Sequence, residues 1–469
     1  MASTFIALPL SSGESFLLRT TDSAGRDRTI LVDGGIRHGK KSRELAKKLK
    51  EVGPRISHID IVVCTHSDAD HAQGLWHFAD DWYDMGRTIG EFWLPGRWAH
   101  AMPAILLDLP GFISSLAEGS SRLARRMRAA RTQAEDENER ALPREALLRH
   151  LYDNRADLED EGLSPGLKEA PETPSDDDDP VASAFGLTPE ELDSLAADLG
   201  EADAVEPLDW PLDRHQPWRL SPELIFLDDD LVAIEPAPLS EWTEAEALFA
   251  EVVDTAKAIR KIAKAALTRR IRIRWFDFGK YEENGKPGGG EAGLLQPVCS
   301  VEVVPDGGRA GRLSALALVL NLRLTRQNVE SLVFYRPETS SSPGVLFLGD
   351  SRLAHGIQRP GPDFPIPFPA PSRKLLVTAP HHGSDHNDNA YAVLLRWLGE
   401  ENALFARNGG QSNQRLGEYL VQGERRCAQC VQCHGRKWRQ WVSVTATGNA
   451  WHWPPSAESC GRPLDPIRC

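Results

Sequence analysis

The chain lacks long apolar runs. None approaches 18 residues, so no segment reads as a membrane span, and no membrane contact is expected. Cysteine is sparse, seven in 469 residues and an odd number, which argues against a disulfide framework of the secreted kind. Positive charge is in deficit: 54 Lys and Arg against 68 Asp and Glu give a net charge of −14. That balance argues against a surface built wholesale for nucleic acid, although a local basic groove remains open. The opening stretch MASTFIALPLSSGESF has no basic leader, and its apolar run breaks at Ser11, Ser12, Gly13 and Glu14. It does not read as a signal peptide, and a cytoplasmic protein is expected. Repeats of solenoid period are missing as well. What is present is a 41% hydrophobic composition, enough for one large core or two ordinary ones.

Two strand-rich segments flank a charged one. Residues 15–20 and 28–33 read as a hairpin closing on Gly34 and Gly35. SRELAKKLKEVGP reads as a helix capped by Ser42, with Leu45, Leu49 and Val52 on one face and a stop at Gly53 and Pro54. HIDIVVC is then a buried strand that runs straight into a polar loop. From about Ala101 to Leu267 the sequence turns charged, helical and irregular. PETPSDDDDP predicts an acidic linker without fixed structure around residues 170–182. Thr188, Pro189 and Glu191 form a capping box ahead of Leu192, Leu195 and Leu199, and Thr243 with Glu246 is expected to cap a long basic helix. Strand patterns resume at RRIRIRW, VCSVEVV, ALALVLNLRL, ESLVFYR and GVLFLGDS, and KLLVTAPHHGSDHN again sends a buried strand into a histidine loop. The expected organisation is one discontinuous domain, residues 1–100 and 268–469, around a helical, partly disordered insertion, 101–267.

The chemistry concentrates at VVCTHSDADHAQG, residues 62–74, where His66, Asp68, Asp70 and His71 fall within six positions at a strand end. Imidazole and carboxylate together suit zinc, manganese or iron. Four such groups exceed what one ion takes from one loop, so two neighbouring ions are expected, with a carboxylate bridging them. Asp350, ending GVLFLGD, and His381 and His382, ending KLLVTAP, are the natural remote ligands. His355, His386, Asn328 and Ser331 read as ordinary loop or strand-end polar groups.

THSDADHAQG, LFLGDS and APHHGS together resemble the signature of metallo-β-lactamase-fold hydrolases. Asp68, where many members have histidine, is similar to the hydrolase domain of the ComEC competence proteins. GESFLLRT followed by RTILVDGG, and QNVESLVFY ahead of LFLGD, fit that subgroup too. The resemblance covers about residues 10–100 and 270–450. It implies an α/β (α+β) fold, an αββα sandwich interrupted by the large helical insertion, with a dinuclear site along one edge. It further implies two divalent ions, zinc first, with manganese or iron as alternatives. His66 and Asp68 would hold one ion, Asp70, His71 and His382 the other, and Asp350 would bridge. Asp33 would lie beneath the site and orient a ligand, the alternative being a hairpin-turn aspartate. Asp70 and His381 are the expected catalytic groups, His381 as a ligand or as proton donor to the leaving group. The chain departs from the wider family in having no histidine between residues 100 and 340 placed like its third ligand to the first ion.

A second constellation, CAQCVQCHG, offers Cys427, Cys430 and Cys433, which with Cys460, Cys469, His434 or His452 could hold a structural zinc. Reduced thiols are the alternative, and haem attachment is rejected because no export signal is present. Arg270, Arg272 and Arg274 alternate along RRIRIRW as a basic face that could contact phosphates or merely be solvated. The expected activity is metal-dependent hydrolysis of phosphodiesters, with nucleic acid or nucleotide as substrate. Two alternatives stand beside it. One is a small-molecule hydrolase for a thioester, lactone or cyclic nucleotide. The other is a metal-stabilised sensor or scaffold in a bacterial defence or signalling assembly, docking a protein partner through residues 101–267.

Overall fold

The computed structural model describes residues 3–10, 13–36, 43–136, 167–171, 179–201, 225–227, 230–232, 239–305, 315–324, 330–355, 363–399, 402–408, 417–422, 424–427, 442–448 and 450–453. With strands numbered in chain order, the larger sheet runs β18 (Ala450–His452), β17 (Val442–Thr447), β1 (Thr4–Ala7), β2 (Phe16–Thr21), β3 (Asp27–Val32), β4 (His58–Val63), β5 (Thr88–Pro95), β9 (Arg272–Asp277), β11 (Val301–Pro305) and β6 (Leu167–Glu169). The smaller runs β10 (Gln296–Pro297), β12 (Phe334–Arg336), β13 (Val345–Phe347), β14 (Leu375–Thr378), β15 (Ala403–Arg407) and β16 (Arg425–Cys427). The strands β7 (Ile225–Leu227) and β8 (Asp230–Val232) form a separate pair. Each sheet has a parallel run, β3-β4-β5-β9 at the centre of one and β13-β14-β15-β16 reaching the edge of the other.

Alternation along these strands sorts the core into layers. Ile30, Val32, Ile61 and Val63 meet Phe334, Val345, Phe347, Leu376 and Leu404 between the sheets. Leu31 and Val62 point the other way, into the helices of the larger sheet's outer face. Leu346, Leu375, Val377 and Phe405 face the outer helices of the smaller sheet, including Asp388–Leu398. This is the expected αββα layering.

The stretch from 97 onward supplies much of one outer layer. Helices Arg97–Leu107, Leu109–Asp136 and Leu239–Thr268 bury Trp98, Leu116, Leu123, Leu248, Ile259 and Ile262 in the same core as Leu31 and Val62. Several local expectations change. The Thr188 capping box forms, with Glu191 N to Thr188 Oγ1 at 3.2 Å and Thr188 N to Glu191 Oε2 at 2.8 Å. Thr243, however, lies inside the long helix, which already begins at Leu239. ALALVLNLRL is a helix, Ala315–Leu324, not a strand, because it packs into the helical layer beside Leu109–Asp136. The β6 strand carries no pattern that sequence reading detected. Within the expected linker, Asp179 caps the helix Pro180–Phe185 by accepting from Val181 N and Ala182 N, so residues 179–182 are ordered; residues 172–178 and the Ser42 cap lie outside the described residues.

Because Leu123 is wholly buried where the helix Leu109–Asp136 joins the shared core, Leu123→Ala should cost about 2–5 kcal/mol. Chemical denaturation followed by both circular dichroism and tryptophan fluorescence should report it as one lowered, coincident transition. A loss confined to a separate early transition would contradict a shared core.

Candidate metal centre

The ionisable groups gather where the parallel strands of both sheets end. Asp33 follows β3, the loop 64–71 follows β4, Asp350 follows β13, and His381 and His382 follow β14. Backbone at this junction is unusually constrained. Asp33, His381 and His382 have φ of 60°, 46° and 52°, left-handed values that non-glycine residues adopt only when their surroundings enforce them. Gly349 has φ +49°, and a Cβ there would meet Ser331 Oγ at 2.5 Å. The chain therefore needs glycine just before Asp350.

Asp33 is fully buried and organises the loop above it. Its Oδ1 accepts from Thr65 N, and its Oδ2 accepts from Thr65 Oγ1 and pairs with His71 Nδ1, each at 2.8 Å. The Nε2 of His71 then faces Asp350 Oδ1 at 3.1 Å. Asp350 occupies the middle of the cluster: its Oδ2 is 3.6 Å from His66 Nε2 and 3.6 Å from His381 Nε2. Ser331 Oγ accepts from Asp350 N at 3.0 Å and lies 3.4 Å from His66 Nδ1, so this residue braces the site instead of being the ordinary strand-end group expected. His382 Nε2 is 2.8 Å from Asp70 Oδ2, and Asp68 Oδ2 is 3.8 Å from His66 Nε2. His66, His71, Asp350 and His382 are buried, whereas the Asp68, Asp70 and His381 side chains are 31%, 32% and 26% exposed and form the open rim.

Sequence reading missed Glu14. It lies just before β2, is wholly buried, and places Oε1 3.3 Å from His382 Nδ1. In the sequence Glu14 sits in the polar stretch SSGES, where nothing sets it apart from a turn residue.

The residues fit a metal. His66 Nε2, His71 Nε2, His382 Nδ1, Asp350 Oδ1 and both Glu14 carboxylate oxygens are buried without completing a hydrogen bond. Such atoms are costly unless something satisfies them. Ligand atoms of His66, His71 and Asp350 all lie within 4.8 Å of one another, as do those of Glu14, His71 and His382. A divalent cation in such a cage would take lone pairs from the imidazole nitrogens and the carboxylate oxygens alike.

Electrostatics follow the same geometry. Burial alone would depress the His71 pKa, but Asp350 and Asp33 raise it well above the usual histidine value. For Asp350, burial is outweighed by the neighbouring His71 and His381, with His66 close by, and these hold it well below the carboxylate range. Asp70 is lowered in the same way, against burial, by His382 and His71. Burial raises Glu14 and lowers His381.

Other expected sites do not join this cluster. Arg270 and Arg272 stand at the start of β9, at the far end of the parallel strands, and all three arginines are engaged. Arg270 pairs with Asp179 and Asp193, and Arg272 with Glu91 at 3.8 Å. Arg274 is clamped by Glu302 and Glu91 over the Trp93 ring. Each arginine of the expected phosphate-binding face thus has an acidic partner, with Arg274 the most enclosed of the three. Lys257 of the long helix is buried, and Lys261 lies against His77 and Trp76. Cys427 is buried beside Tyr419 and Arg407, while Cys430, Cys433, His434, Cys460 and Cys469 lie outside the described residues, as does Asn328. His452 is exposed on β18, and His355 is an exposed residue beside Tyr281 and Phe364.

In the metal-free chain, burial works against a charged His382, yet Glu14 and Asp70 raise its pKa to about 10. Its stabilising contribution is fully present below the unfolded value near ~6.5 and is lost as pH rises through about 10. A bound cation must displace that proton. Zinc binding near neutral pH is therefore expected to release protons and to tighten as pH rises. Calorimetry in buffers of different ionisation enthalpy measures the release, and buffer-independent heats would contradict it.

No curated protein matches the chain. A family model does match part of it, and the matched segment contains Asp33, His66, Asp68, Asp70 and His71, while Asp350, His381 and His382 lie beyond it and are brought in by the fold. The match is to a broad grouping and does not single out the ComEC hydrolases. Residues 9–180 match the metallo-beta-lactamase superfamily, whose members are generally hydrolytic metalloenzymes.

Proposed function

We propose that the chain is a metal-dependent phosphodiesterase that uses two divalent ions, zinc first among them, on a nucleic acid or nucleotide substrate. We place this activity in residues 1–100 and 268–469, with 101–267 as the inserted part. The observation that carries the reading is the division of the cluster into a buried cage and an open, carboxylate-bearing rim. Three aspartates in the ligand set favour cations that also accept hard oxygen ligands, which suits the oxygens of a phosphoryl group. The ions, when bound, supply an activated hydroxide and Lewis-acid polarisation of the phosphorus centre.

The chain's own residues do the rest. Asp350 stands between His66, His71 and His381, where a bridging carboxylate is wanted. Asp33 fixes the His71 ring through Nδ1 and so presents Nε2 to the cage. His381, at the rim with Nδ1 3.4 Å from Asn387 Oδ1, is placed to give a proton to the leaving oxygen. Asp68 in place of histidine supports kinship with ComEC-type hydrolases, and this is why nucleic acid stands first among substrates. The paired arginines of β9 leave phosphate recognition to the rim and to the ions.

Purified protein loaded with zinc or manganese is expected to turn over single-stranded DNA, RNA or cyclic nucleotides. Asp350→Ala should lower kcat/KM on the order of 10²- to 10³-fold without loss of the cooperative thermal transition. Turnover confined to thioesters or lactones would overturn the phosphodiesterase reading. Bound metal with no turnover of any of these would instead mark a sensor or scaffold.

A further inference from the structure

Glu14 is a buried acid that the proposed chemistry does not use. Its side chain is 0% exposed, and among the described residues neither carboxylate oxygen completes a hydrogen bond. An ionisable group held so far from water is costly unless a partner of opposite character is beside it. The facing group is His382, with Nδ1 3.3 Å from Oε1. The backbone delivers Glu14 to this position independently of its side chain. Glu14 N donates to Asp70 O at 2.9 Å, and Gly13, at φ +82°, lets the two segments meet so closely that a Cβ there would lie 2.2 Å from Asp70 O.

The arrangement repeats that of His71. In both histidines Nδ1 faces a wholly buried carboxylate, Asp33 in one case and Glu14 in the other. In both, Nε2 faces a proposed ligand, Asp350 Oδ1 at 3.1 Å or Asp70 Oδ2 at 2.8 Å. A carboxylate behind a ligating imidazole fixes its tautomer and ring orientation and strengthens it as a donor. We infer that Glu14 is a positioning residue for His382, holding the imidazole so that Nε2 is presented to the metal cage as Asp33 does for His71. This inference rests on the metal-centre reading and adds a residue to it.

The test measures binding by the full-length chain, with zinc as the probe, in Glu14→Gln and Glu14→Met. Both variants should raise the zinc dissociation constant about 10- to 100-fold in chelator competition. They should also shift the visible spectrum of the cobalt-loaded protein. Wild-type zinc affinity and cobalt spectrum in both variants would overturn the inference, as would a fall in metal-free melting temperature with zinc affinity unchanged, the mark of a purely structural role. Loss of one bound ion with the remainder held at wild-type affinity would make Glu14 a ligand and overturn positioning. A wild-type chain that binds zinc yet cleaves no phosphodiester would sink the proposed activity and leave this inference standing; a wild-type chain that binds no zinc would remove the metal centre itself.

Discussion

The buried 2.8 Å contact between Asp33 Oδ2 and His71 Nδ1 is the constraint on which the site depends. It joins the end of β3 to the loop leaving β4, and it requires Asp33 to hold a left-handed conformation that most residues avoid. The same carboxylate takes Thr65 N and Oγ1, so one side chain fixes both the start of the loop and its far histidine. With those two points set, His66, Asp68 and Asp70 have little freedom in where they lie. The second sheet then contributes Asp350 and His382 from the ends of β13 and β14, across a packed core that keeps the two sheets in register.

Much of this was legible in the sequence, for identifiable reasons. The strands whose ends carry the site are short runs rich in β-branched and aliphatic residues that stop at polar clusters, and both signals are local. The candidate ligands stood out because a turn by itself has no need of two imidazoles and two carboxylates in six positions. Glu14 was not readable, because a single glutamate before a strand looks like a turn residue until the fold sets it against His382, 368 positions away. Ser331 escaped for the same reason. The stretch 315–324 misled because continuous apolar sequence has no period to read; its leucine and alanine content favours a helix once another helix offers a face to pack on.

The arginines of β9 illustrate a different limit. Alternation correctly placed Arg272 and Arg274 on one side of the strand, but charge on a sheet face has meaning only with its neighbours. Glu91 stands opposite Arg272 in the adjacent strand, and Glu302 comes from the strand on the other side. Burial raises the cost of an unpaired guanidinium, so the array closes on itself, and Arg274 is held above its usual pKa, against burial, by Glu302 and Glu91. What the alternation alone could not show is the acidic partner that each neighbouring strand sets beside these arginines.

The short strand Leu167–Glu169 covers an edge of the larger sheet. It pairs along β11, from Val303 to Pro305, and is the outermost strand of the larger sheet on that side. Deleting residues 101–267 would strip this cover and bare a row of main-chain donors and acceptors on β11, the kind of unpaired edge that templates contact between copies. Poor solubility of such a truncated protein would then report a lost edge cover, even with His66, His71, Asp350 and His382 all intact.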